Sequence, residues 1–127
     1  MDRIFYGREE IMRNIPLIEI DARVKTLLDT MLNVHKQNSN SPVILMLSIT
    51  QTKECIFVKR DDIHNRSSNS IPFQKSSLLV PDIFVENLNQ DTSIIIRHML
   101  DMMWNAGAYP KSLSYDKDDN WIDHRRY

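Results

Sequence analysis

Asp61, Asp62 and His64 fall within four residues of one another in a polar stretch of this 127-residue chain. Carboxylates and imidazole are divalent-metal ligands, and a bound metal can activate water for hydrolysis. A fourth ligand would have to come from elsewhere, and adjacent carboxylates in a polar loop are commonly only solvated. Arg97, Asp101 and Asn105 recur one helical turn apart, so they share a face, and Arg97 can pair with Asp101 at i,i+4. A site joining the 61–64 loop to that polar arc, with Asp61, Asp62, His64, Arg97 and Asp101, would be a metal-dependent enzyme of the hydrolase type. It is the first alternative reading of the chain.

Other reactive side chains carry less. Asp116, Asp118 and Asn120 match the first, third and fifth ligand positions of an EF-hand loop. Trp121 then stands where that loop needs glycine, and Tyr127 where it needs a bidentate glutamate. The stretch reads as a solvated hairpin tip, and no metal is expected. Cys55 is the only cysteine, sits in an apolar run and has no histidine near it in sequence, so it reads as a small core residue. His35 lies near the end of an amphipathic helix, where a structural role suits it. Ser48 and Ser93 lack the glycines of a nucleophile elbow. The chain has two glycines, Gly7 and Gly107, which removes phosphate-cradling loops and dinucleotide-binding turns. No cofactor is expected.

Lys53, Lys59, Arg60, Arg66 and Lys75 make the middle of the chain basic, with Phe57 and Phe73 among them. Aromatics on a basic sheet can stack bases, so an RNA- or DNA-binding domain is the second alternative. Glu54, Asp61 and Asp62 dilute the patch, and the net charge is −1. Nucleic acid is therefore disfavoured as a partner.

The elements that must position these residues follow from periodicity. Ser93–Ala106 predicts one helix buried on most sides, with Arg97, His98, Asp101 and Asn105 on its polar arc. Gly107 should end it in a left-handed cap, and Pro110 should block its resumption. Leu17, Ile20, Val24, Leu27, Met31 and Val34 recur at three- and four-residue spacings and predict an amphipathic helix, widened by Leu28 and Leu32. Asp21 competes as its N-cap, so it starts at Pro16 or at Ala22. Val43–Thr50 is apolar on both parities in its first half and predicts a central strand. Cys55–Lys59 predicts a hairpin partner for it. Residues 60–77 predict a surface loop, Leu78–Val80 a short strand and Asp82–Leu88 a short helix. Leu113–Tyr115 and Trp121–Ile122 predict a hairpin, with Trp121 folding toward Trp104 or Tyr115.

The sum is a single small α+β domain over 1–127, standing alone or as a piece of a longer chain. Its sheet is short and mostly antiparallel, helices cover one face, and a hairpin closes the C-terminal end. The charged N-terminus and the short apolar runs predict neither a secretory signal nor a membrane span. The lone cysteine suits a reducing, cytoplasmic setting. With no catalytic constellation of diagnostic spacing, the leading expectation is a non-enzymatic protein-interaction or regulatory module. A protein partner is expected, a homodimer among the options. Leu28, Leu32, Arg97, Asp101, Asn105 and Trp121 are the candidate interaction surface.

Overall fold

The computed structural model describes residues 4–6, 9–11, 13–60 and 72–123. Two short strands, β1 (Ile4–Tyr6) and β2 (Glu9–Ile11), pair antiparallel. They are followed by β3 (Asn14–Pro16), the long helix α1 (Leu17–Asn38), β4 (Val43–Thr50) and β5 (Ile56–Val58). Then come β6 (Ser77–Val85), α2 (Thr92–Ile95) and α3 (Arg97–Ala106). β4 pairs antiparallel with β6, and β3 pairs parallel with β5. The fold is α+β, and no helix among the described residues is long and apolar enough to cross a membrane.

The helix α1 starts directly after β3. Pro16 stands at its N-cap without a side-chain cap, and the Ile18 N–H donates to the Lys59 carbonyl at 3.1 Å. One of the donors that every helix start leaves open is thus closed by the chain leaving β5. At the other end the Ser39 N–H donates to the His35 carbonyl at 2.8 Å, and a ring nitrogen of His35 donates to the Ser41 carbonyl at 2.8 Å. Those bonds fix the turn into β4.

The facing of α1 differs from its predicted stripe. Leu17, Ile18, Asp21, Leu28 and Leu32 are buried, whereas Leu27, Met31 and Val34 are more than half exposed. An apolar sector that wide has no unique inward direction, and packing against α2 and α3 chooses one of its edges.

The strand partners also differ. β5 does not form a hairpin with β4; it joins β3, so β4 lies in a two-stranded ribbon instead of a central position. Residues 82–85 continue β6 where a short helix was expected. Pro81 lacks the N–H that a regular ladder needs. The register accordingly slips between Leu45, opposite Ile83, and Leu47, opposite Val80. Pro81 and Asp82 both point out at this bulge, after which Ile83, Phe84 and Val85 resume the alternation.

The single predicted helix at 93–106 is two pieces. Asp91 caps α2 through a 2.9 Å bond from the Ser93 N–H. The helix is interrupted at Ile96, and the Ser93 carbonyl, which an unbroken helix would pair with the Arg97 N–H, accepts the Tyr115 hydroxyl. Leu100, Met103 and Trp104 of α3 then pack with Leu17, Ile18, Leu28 and Leu32 in the core. Gly107 follows α3 as predicted, for a different reason. Its φ is −93°, so no left-handed conformation is involved; Ala108 takes that one, at 67°. Glycine is needed because a Cβ at 107 would lie 2.7 Å from Phe57 Cβ.

Candidate functional site

Two features stand out, one polar and closed, the other apolar and open. The polar feature is centred on Asp21, which lies inside the buried face of α1 with a relative exposure of 0%. Its Oδ2 accepts three hydrogen bonds: from Trp104 Nε1 at 2.8 Å, Ser112 Oγ at 2.8 Å and Ser114 Oγ at 2.6 Å. Oδ1 is buried without a partner among the described residues. Burial pushes the carboxyl up to about 6, against the three donors, which pull it down; the charge of Asp101 adds to the rise. Desolvation dominates because removing a carboxylate from water costs more than three neutral donors return.

The polar arc of α3 serves the same segment. The Ser112 N–H donates to Asp101 Oδ1 at 2.8 Å. The Asn105 amide, oriented with its nitrogen toward the tail, donates to the Tyr109 and Pro110 carbonyls at 2.9 and 3.0 Å. Arg97 bonds Asp119 at 2.6 Å, lies 3.9 Å from Asp101 and stands 5.1 Å above the Tyr115 ring. Tyr115 forms a bridge with Trp121, their rings edge to face at 5.4 Å. Burial, and then the charges of Asp21 and Asp101, raise the Tyr115 hydroxyl well above the ordinary phenol value. Residues 109–123 are therefore clasped onto α1 and α3 by side chains drawn from both.

That clasp accounts for most of the predicted surface. Arg97, Asp101 and Asn105 hold the tail. Trp121 is half-buried against Tyr115, not Trp104, with Lys25 5.7 Å from its ring centre. Leu28 and Leu32 are core residues, 6% and 4% exposed, so they offer no contact surface. The expected hairpin tip is built by Asp116 Oδ1, which accepts the Asp118 and Asn120 N–H groups at 2.8 and 2.9 Å. Asp61, Asp62 and His64 lie outside the described residues, as does Arg66. Phe57 is buried and edge-on to Phe73 at 5.2 Å, so it presents no face for a base to stack on. Cys55 is buried too, its thiol bonded to the Gln51 carbonyl at 3.5 Å and pushed up by desolvation.

The apolar feature is the outer face of the ribbon. Ile44 and Phe84 are directly opposite each other and 62% and 60% exposed. Met46 and Leu79 lie on the same face, each 76% exposed. A groove of about 350 Å³ runs between this strand and α1, lined by Leu27 and Met31 on one side and Ile44 and Met46 on the other. Sequence reasoning took the double apolar parity of β4 as burial on both faces. A face left for another molecule gives the same pattern.

No family model, curated protein or solved structure matches this chain.

Proposed function

We propose that the chain is a non-enzymatic protein-interaction module that docks through the outer face of β4–β6 and the adjoining edge of α1. One observation carries this reading: Ile44, Met46, Leu79 and Phe84 form an exposed apolar face continuous with Leu27 and Met31. Met and aromatic residues are enriched at the centres of protein interfaces, and charge is depleted there. Asp82 is the only charged residue in the two strands. A reducing compartment such as the cytoplasm suits a chain whose single cysteine is a buried thiol. The polar cluster does not compete as a reaction centre, because Asp21, Ser112 and Ser114 are at most 1% exposed and bonded to one another.

Site-specific photo-crosslinking in cells tests the reading. A photoreactive side chain at Met46 is expected to form a protein adduct that disappears when Phe84→Lys is added. The same probe at Glu19, on the solvated side of α1, serves as control. Absence of an adduct at 46, or equal adducts at 46 and 19, would refute the docking surface.

A further inference from the structure

We infer that the molecule covering this face is a second copy of the same chain, with two β4–β6 ribbons packed face to face about a two-fold axis. The inference rests on the docking reading above and adds the identity of the partner.

The first argument is area. Leu27, Met31, Ile44, Met46, Leu79 and Phe84, the residues of the face and its groove, are each between 55% and 76% exposed. Together they expose roughly 700 Å² of mostly apolar surface, against the roughly 300–600 Å² of the largest patch on a typical monomer. One partner in a standard stable interface buries about 800 Å². The patch thus nearly matches one half of a dimer interface without help from surrounding polar residues.

The second argument is chemistry. A surface that recognises an unlike partner by charge needs charges of its own, and the two strands carry only Asp82, at the bulge. The surface that complements a broad uncharged face is another broad uncharged face. A two-fold operation supplies it from the chain itself, since an isologous interface brings the same patch from both sides. Sheets stack about 10 Å apart with side chains interdigitating, so the Ile44–Phe84 pair of one copy can fill the space beside Met46 of the other.

Sedimentation of the purified full chain from low to high micromolar concentration tests the inference. The wild type should sediment as a concentration-dependent dimer. Met46→Lys and Phe84→Lys should each weaken association about a hundredfold, as expected for a charge placed in an interface core, while melting at the wild-type temperature extrapolated to low concentration. Should either lysine disturb the strand, the double variant Ile44→Thr with Phe84→Thr keeps β-forming side chains and should also dissociate. A wild type that remains monomeric throughout overturns the second copy, as does a dimer that all these variants leave intact. The crosslinking adduct at Met46 separates the two levels. A self-adduct supports both. An adduct to a different protein, with a monomeric wild type, keeps the docking surface and removes the second copy. A monomer without any adduct removes both.

Discussion

Residues 109–123 and the β4–β6 ribbon both lie over the helical core, and they are finished differently. The tail has little regular structure, only an isolated bridge at Tyr115 and Trp121. It is held by directed bonds to Asp21, Asp101, Asn105 and Arg97. The ribbon is regular, with a ladder running from Val43 opposite Val85 to Thr50 opposite Ser77, and it leaves one apolar face uncovered. Irregular backbone needs side-chain partners for its polar groups, so a tail without a ladder draws polar side chains inward. A ladder satisfies its own backbone and leaves its side chains available for other uses. The difference predicts that the same kind of substitution will have very different consequences in the two regions.

Trp104→Ala should have the largest effect. It removes a side chain that is 0% exposed and also one of the three donors to Asp21. A loss of about 3–5 kcal/mol is expected for the cavity alone. Met46→Ala should change monomer stability by no more than about 0.5 kcal/mol. Urea unfolding of both variants checks the contrast, and comparable losses would show that the ribbon face is not bare.

Asp21 gives the clasp a pH dependence. Its carboxyl titrates near 6 in the fold, against 3.8 ordinarily. The folded state therefore binds the proton more tightly than the unfolded chain, and ∂ΔG/∂pH is negative between those values. Asp21 disfavours folding least below pH 4 and costs up to about 3 kcal/mol once the pH rises above 6. Asp21→Asn should flatten that slope, read as the difference between wild-type and variant stability at pH 4.5 and pH 7.5. The subtraction matters because Asp91 and Asp119 are held below the ordinary value and act in the opposite direction. A wild type and variant with parallel pH profiles would place the Asp21 titration elsewhere.

Gly107→Ala should be the next largest. The added Cβ meets Phe57 Cβ, which is buried and edge-on to Phe73, so neither side can yield cheaply. Overpacking of this kind costs about 1–3 kcal/mol. Melting at the wild-type temperature would mean that the α3–β5 approach relaxes without strain.

Element types were legible in the sequence where one period dominated. α1, β4, the core helix and the closing bridge between Tyr115 and Trp121 all occur near their predicted positions. Partners and facings were not, because they depend on which surfaces meet. β4 and Cys55–Lys59 are close in sequence and both strand-forming, yet β5 pairs with β3, ahead of α1. Asp82–Leu88 has an apolar spacing compatible with a helix, but pairing with β4 draws its first four residues into β6. Asp21 carried a readable signal: it is the one carboxylate within the Leu17, Ile18, Leu28 and Leu32 face. Its serine partners are more than ninety residues away, so the bonds that tolerate it there could not be read from local pattern. Periodicity puts Leu27 and Met31 along the middle of the α1 stripe and Leu28 and Leu32 at its edge as a contact surface, whereas packing buries Leu28 and Leu32 and leaves Leu27 and Met31 exposed. A rotation of one residue about the helix axis separates the two readings.

Leu79→Lys is the smallest expected effect on the isolated fold and the sharpest comparison with the clasp. Leu79 is 76% exposed and lies opposite Ser48, itself exposed, across the ladder. A lysine there keeps its charge in water, removes no buried contact and leaves its backbone bonds in place. Thermal unfolding at low protein concentration should therefore stay within about 0.5 kcal/mol of wild type. Moving the lysine one residue along, to Val80, reverses the side-chain direction, because successive strand residues face opposite sides. Val80 is 5% exposed, and Val80→Lys places an amine among apolar side chains at a cost of several kcal/mol, read as a collapse of the melting transition. The pair tests the ribbon's facing over a single step of chain. Equal losses at 79 and 80 would mean that both faces are covered in the monomer, leaving no open surface for a partner to use.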